Sequence, residues 1–206
     1  MIFGSPLTVR RPDFPYTVST VLLALLLVTP VACASGSQLA QLMGLLAQRR
    51  SDKATFVEKT YIGIIEHPLI STGDLSYIAP DRLEKRTLTP KPELLALRGN
   101  VLTIKRPGKH QITVSLEGHP EVAAFIDSIR GTLAGNLSAL KTYYALRLTG
   151  PMGDWQLVLT PKQRKLSHIF SHIRISGSHA YIRTIELEQH NGDHSVMVIT
   201  QTGPGR

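Results

Sequence analysis

The chain has a single cysteine, Cys33, in 206 residues. It cannot form an internal disulfide, so whatever fold it adopts rests on burial and hydrogen bonding. It also has no G-x-S-x-G elbow, no P-loop and no dinucleotide-binding glycine pattern. Those gaps remove the sequence signs of an activated serine or a nucleotide site, and no catalytic residues and no cofactor are expected. Eight histidines are present, but neither H-E-x-x-H nor a paired-cysteine motif accompanies them. His168 and His172 are four apart, a spacing that suits two ligands on one helical face. Residues 169–175 alternate like a strand instead, so no metal site is expected. His190 and His194 flank a turn and are expected to be solvated. Asp127 and Glu186 or Glu188 could pair in principle, but nothing in the order of residues brings them together. A lipid-active hydrolase would need a triad that the sequence does not display. Asn136-Leu137-Ser138 fits a glycosylation sequon, which is uninformative in a bacterial-looking context.

The chain does carry charge, with a formal net of +8. The basic residues are scattered as Arg49-Arg50, Lys85-Arg86, Lys105-Arg106-Lys109 and around Lys162–Lys165. No aromatic platform is interleaved with them, so no nucleic-acid partner is expected. Such a surface suits encounter with an anionic membrane, or is simply solvated.

The apolar run at 18–31 is short for a helix that needs about 20 residues to span a bilayer. Arg10 and Arg11 precede it and Ala32-Cys33-Ala34-Ser35 follow. A charged start, a short apolar stretch and an A-x-A-like exit have the layout of an export signal cleaved after Ala34. The expected division is therefore a signal peptide at 1–34 and one domain at 35–206. Without Arg10, Arg11 and Asp13 the net charge is still +7. The competing use of this segment is lipid attachment at Cys33, although Pro30 stands where a lipobox favours an aliphatic residue.

The rest of the chain is organised around residues 73–105. Leu75 and Tyr77 alternate with Asp74 and Ser76, the period of a half-buried strand. Pro80-Asp81 ends that strand, and 82–89 follows, polar on both faces. Pro90 and Pro92 open 93–97, Arg98-Gly99-Asn100 makes a hairpin turn, and 101–105 returns. Upstream, Leu39, Leu42, Met43 and Leu46 predict an amphipathic helix over 38–50, followed by a strand over 54–66 and its partner over 69–78. Downstream, 111–116 is a strand. The period then becomes helical, predicting helices over 121–133 and 137–142, with Pro120 at a first helical position and Asn136 as a cap. Strands resume at 144–149, 155–160, 169–176, 181–188 and 194–202. Turns are expected at 150–154, at Ser176-Gly177-Ser178 and at Asn191-Gly192. Ten or eleven strands with two or three helices predict an α+β fold: one curved antiparallel sheet with helices on one face.

Several local patterns are shared with a known family. GDLSYIAP at 73–80 matches a G-x-L-x-x-x-x-P strand and turn, Leu97-Arg98-Gly99-Asn100 a "dG" hairpin, and LVLTPK at 157–162 an L-x-L-T-P-K strand. Together with the order of elements over 37–203, the chain resembles the LolA family of periplasmic lipoprotein carriers, in a divergent branch. The resemblance implies an unclosed β-barrel whose concave apolar face is covered by helices. It also implies a monomeric carrier of lipoprotein or lipid acyl chains, working between an inner-membrane donor and an outer-membrane acceptor. A variant of the same reading is an acceptor or lipid sensor of LolB-like fold, anchored at the outer membrane through Cys33.

Two departures stand out. The family's well-studied carriers place an arginine just before the motif proline, where it holds the helical lid; here that residue is Ala79. Their F-x-Q segment corresponds to Phe56-Val57-Glu58. Phe125, Ile126, Ile129 and Leu133 form an apolar stripe richer than a surface helix needs. With Leu75, Tyr77 and Leu97 on the sheet side, they are the candidate lipid-binding residues. The plainer alternative is that the stripe is filled core.

Overall fold

A computed structural model describes residues 34–203. Residues 1–33 of the expected export signal, Cys33 among them, lie outside the described residues. Helix α1 (Ala34–Ala47) comes first. The strands β1 (Ser51–Tyr61), β2 (Leu69–Ile78), β3 (Arg82–Thr89), β4 (Glu93–Arg98), β5 (Val101–Lys105) and β6 (Ile112–Ser115) follow. A 3-10 turn, Leu116–Gly118, leads into α2 (Pro120–Leu133) and α3 (Leu137–Tyr143). The second run of strands is β7 (Tyr144–Thr149), β8 (Trp155–Pro161), β9 (Phe170–Ser178), β10 (Tyr181–Gln189) and β11 (His194–Gly203). A one-turn helix, α4 (Arg164–Ser167), sits in the polar loop before β9.

The eleven strands make one sheet in the order β6-β5-β4-β3-β2-β1-β11-β10-β9-β8-β7. Two antiparallel meanders are joined where β1 pairs with β11. The outer strands, β6 and β7, are not paired with each other, so the barrel is unclosed. The helical insertion is the chain that connects those two edges. No helix among the described residues is long and apolar enough to cross a membrane.

Local chemistry explains the boundaries. On β1, Ala54 and Phe56 are buried while Lys53, Thr55 and Val57 are exposed, the two-residue period of a one-sided strand. The strand starts at Ser51, before the expected 54, because Ser51 and Asp52 already pair with Ile78 and Tyr77 of β2. Helix α1 stops at Ala47, before the expected 50, and Arg49 turns back to Asp52 with Nη2–Oδ1 at 2.8 Å. Pro120 stands in the first turn of α2. Asn136 caps α3 by accepting from the Ala139 amide at 3.1 Å.

One expected turn is corrected. Residues 176–178 are strand, and the chain reverses after Ser178, at His179, whose φ is 53°. Gly177 stays in the ladder because the Trp155 indole lies on it: a Cβ there would sit 2.4 Å from the ring and 2.3 Å from the Tyr181 carbonyl oxygen. Glycine here serves close approach rather than a turn.

The core occupies one half of the inner face. Leu39, Leu42, Met43 and Leu46 of α1 pack with Leu140 and Tyr144 onto Trp155, Leu157, Leu159, Ile173 and Ile175. The Trp155 indole N–H donates to the His179 carbonyl at 2.9 Å, so burying it leaves no orphaned donor. Leu42, Leu157, Leu159, Ile173 and Ile175 are fully buried. Each contributes about 1.5–3 kcal/mol relative to exposure.

Candidate functional site

The other half of the inner face is not filled. Between α2 and strands β1–β5, β10 and β11 lies a cavity of about 490 Å³, a size typical of small-molecule sites. Its floor follows from the register. Tyr77, Leu83, Leu97 and Leu102 stand opposite one another across β2–β5. Ala54, Leu75, Lys85 and Leu95 form the next row across β1–β4. Ile182, Ile185, Leu187, Met197 and Ile199 extend the wall across β10 and β11. The roof is the Val122, Phe125, Ile126, Ile129 and Leu133 face of α2.

All seven residues singled out in the sequence line this cavity. Tyr77 and Leu97 are buried, and Leu75, Phe125, Ile126, Ile129 and Leu133 are half-buried. Phe125 also stacks on Phe170 of β9, with ring centroids 5.4 Å apart. The Tyr77 hydroxyl is buried and has no hydrogen-bond partner among the described residues. Burial pushes its pKa up, Asp81 nearby adds to that and Arg50 works against it.

Two ion pairs in the wall were not foreseen. At one end, Arg49 grips Asp52 through two contacts, Nη2–Oδ1 at 2.8 Å and Nε–Oδ2 at 3.1 Å. At the other, Lys85 Nζ meets Glu58 Oε2 at 2.5 Å and lies 4.9 Å from the Phe56 ring centroid. Lys85 belongs to the Leu75 row, whose β1 member is Ala54, yet it reaches Glu58, four residues further along β1. Gly73, opposite Phe56, has no side chain in that lane, and a Cβ there would meet the Arg86 carbonyl oxygen at 1.9 Å. One sequence signal was available. Ala54, Phe56 and Glu58 share a face by alternation, so an apolar strand face carries a carboxylate.

The roof is fastened by an arginine from the helix rather than from the sheet. Arg130 of α2 donates to the Gly99 carbonyl at 3.0 Å and pairs with Asp127 at 2.5 Å. At the position where the family's arginine would stand, Ala79 offers its backbone N–H to the Arg50 carbonyl at 2.8 Å.

The remaining candidates disperse. Asp127 is held by Arg130, Glu186 by Arg174, and Glu188 by His172 at 3.3 Å, so the acids do not meet. His168 sits edge-on to His190 at 6.2 Å. His190 and His194 are exposed, as expected, and His194 stacks on Tyr61 at 4.4 Å. No group of three metal-capable side chains occurs among the described residues.

An unclosed barrel with an apolar hollow beneath a helical cover is the build of a carrier-type binding protein. Comparison with known proteins gives the family. The description "outer membrane lipoprotein carrier protein LolA-like" matches residues 31–203, and the chain belongs to that family. Comparison with curated proteins returned no match. Among solved structures, the chain is similar to a LolA superfamily protein from Nitrosomonas europaea at 12% identity. The match covers 81% of this chain and 91% of that one, with a TM-score of 0.43. A putative outer membrane lipoprotein-sorting protein domain from Vibrio parahaemolyticus is similar at 10% identity. There the match covers 82% of this chain and 93% of that one, with a TM-score of 0.43. The Pseudomonas aeruginosa MucA/MucB complex is similar at 14% identity over 82% of this chain. The chain spans 59% of that one, with a TM-score of 0.45.

Proposed function

We propose that this protein is a periplasmic carrier that holds an acyl chain of a lipoprotein or lipid in the cavity beneath α2 and delivers it toward the outer membrane. The observation that carries the reading is the 490 Å³ hollow, lined mainly by aliphatic and aromatic side chains. Membership of a carrier family supports it. Phe125, Ile126, Ile129 and Leu133 contact the chain from above, and Leu75, Tyr77 and Leu97 from below. Each buried methylene contributes about 0.8 kcal/mol, so a chain with about ten of them gains about 8 kcal/mol before the cost of ordering it. No covalent step is needed. The carrier acts as a monomer, loaded by an inner-membrane donor and unloaded by an outer-membrane acceptor, after cleavage at Ala34.

Lipid extracted from freshly exported protein and weighed by mass spectrometry tests this. Native protein is expected to carry acyl lipid. Phe125→Asp, which puts a charge into the roof, is expected to carry none while keeping its circular dichroism. Equal lipid in both would remove α2 from the site, and lipid-free native protein would remove the carrier reading. Intact mass of the mature chain tests its location: Ser35 as a free N-terminus fits a released carrier, and acylated Cys33 overturns release.

A further inference from the structure

The two ion pairs in the cavity wall differ in how fully their polar atoms are used. Asp52 is saturated. Both of its oxygens meet Arg49. Gln201, with its amide nitrogen turned toward Asp52, lies 2.7 Å from Oδ1 and 3.2 Å from Oδ2. The Arg49 guanidinium in turn covers the Tyr181 ring at 4.1 Å. This pair lies in the cavity wall and has little left to offer a ligand.

The Glu58–Lys85 pair is open. A single carboxylate oxygen, Oε2, takes both Lys85 at 2.5 Å and the Ser71 hydroxyl at 3.4 Å. The other oxygen, Oε1, accepts no hydrogen bond among the described residues. The ammonium spends one of its three protons on Glu58, and the Phe56 ring faces it at 4.9 Å. Both side chains are mostly buried, 27% and 16% exposed. Hydrocarbon packed into the cavity would strip away the solvent that still reaches them. A desolvated pair with unused donors and acceptors is costly, and it is tolerated only when the remaining valences are met.

We propose that Glu58, Lys85 and Ser71 form a polar subsite for a neutral hydroxyl or amide at the root of the acyl chain. This deepens, and rests on, the reading of the cavity as an acyl site. The cargo is then an amphiphile with a donor–acceptor group beside its chain, rather than bare hydrocarbon or a free fatty acid. The chemistry selects neutrality. The pair has no net charge, so a carboxylate gains no unshared cation and meets the Glu58 anion. A hydroxyl or amide can donate to Glu58 Oε1 and accept from Lys85. From here the alkyl chain has Met197, Ile199 and Ala54 of the cavity wall beside it on the way to Asp52, six residues along β1 from Glu58, or about 20 Å.

Displacement of an apolar fluorescent dye from the full mature protein tests the subsite, with methyl hexadecanoate and its 3-hydroxy derivative as competitors. The hydroxy ester is expected to compete about tenfold better than the plain ester. In Glu58→Leu/Lys85→Met, which keeps side-chain volume and removes both charges, that preference should fall below about twofold while the plain ester still binds. Glu58→Gln with Ser71→Ala gives a milder second variant, in which the preference should shrink without vanishing. Equal affinity of native protein for the two esters overturns the subsite and leaves the carrier standing. A preference that survives in a folded double variant does the same. Failure of both esters to displace the dye overturns the carrier reading and the subsite with it.

Discussion

Arg130 and Gly99, thirty-one residues apart, fasten the helical roof to the sheet: the guanidinium on α2 donates to the carbonyl of the β4–β5 turn at 3.0 Å. Gly99 can occupy that turn because its φ is 57°, a conformation side chains resist. Asp127, one helical turn earlier, holds the same guanidinium in place. Among the described residues, Arg130 is the charged strut from the lid to the sheet; Tyr144 of β7 adds a neutral hydrogen bond to the Ala124 carbonyl, and Phe170 of β9 stacks on Phe125.

Removing the strut should loosen the lid without unfolding the barrel. Arg130→Met keeps much of the stem and loses a charge-assisted hydrogen bond, a cost of about 1–2 kcal/mol. Hydrogen exchange is the measurement. Amides of α2 should exchange faster, and those of α1 and β7–β9 should not change. Unaltered protection of α2 would show that its remaining contacts, the Tyr144 and Phe170 contacts included, hold it without the strut.

Gly177→Ala is expected to be among the most damaging small substitutions. The added methyl meets the Trp155 ring at 2.4 Å and a backbone carbonyl at 2.3 Å, and neither can give way cheaply. Overpacking at such a site costs about 2–4 kcal/mol. Urea unfolding followed by Trp155 fluorescence reads it directly. A loss under about 0.5 kcal/mol would mean that the β8–β9 ladder shifts to accommodate the methyl.

The same glycine marks where the sequence misleads. Ser176-Gly177-Ser178 has turn composition, and only the indole that lies on it from the next strand makes it strand. Local patterns did reveal most elements, because Leu75 and Tyr77, or Leu39 through Leu46, declare their faces by period alone. The seven apolar residues of the cavity wall could be chosen for the same reason. The polar part could not. Lys85 meets Glu58 from 27 positions away, and it does so across a lane left open by a glycine on a third strand. Nor could spacing tell whether the α2 stripe covered a filled core or a hollow. That depends on how far α1 and α3 reach across the sheet, which is a matter of tertiary geometry.

Ligand removal should weaken one half of the molecule selectively. A ligand at about 100 times its Kd stabilises the folded state by about 2.7 kcal/mol. For a domain of this size that corresponds to a fall in Tm of about 5–10 °C on delipidation. Exchange protection should drop in α2 and β2–β5, which border the hollow, and persist where α1 packs on β8 and β9. A uniform loss across the sheet would instead mean that the two halves unfold as one unit.

Tyr144 gives the fold an alkaline limit that can be measured at one residue. Its ring is 1% exposed and its hydroxyl donates to the Ala124 carbonyl at 3.1 Å. Burial pushes its pKa up to about 12, with Asp127 adding to the rise and Ser128 opposing it. In the unfolded chain a tyrosine ionises near pH 10. The folded state therefore keeps the phenolic proton longer than the unfolded state does. Stability from this group is complete below about pH 10 and is lost as pH climbs toward about 12, by about 1.4 kcal/mol per pH unit. Tyr144→Phe should cost about 1 kcal/mol at neutral pH through the lost hydrogen bond. It should also flatten the alkaline decline, so that native and variant stabilities converge and cross above pH 10. Parallel curves would mean that the buried phenol ionises as easily in the fold as in water, and that the α2–β7 contact admits solvent.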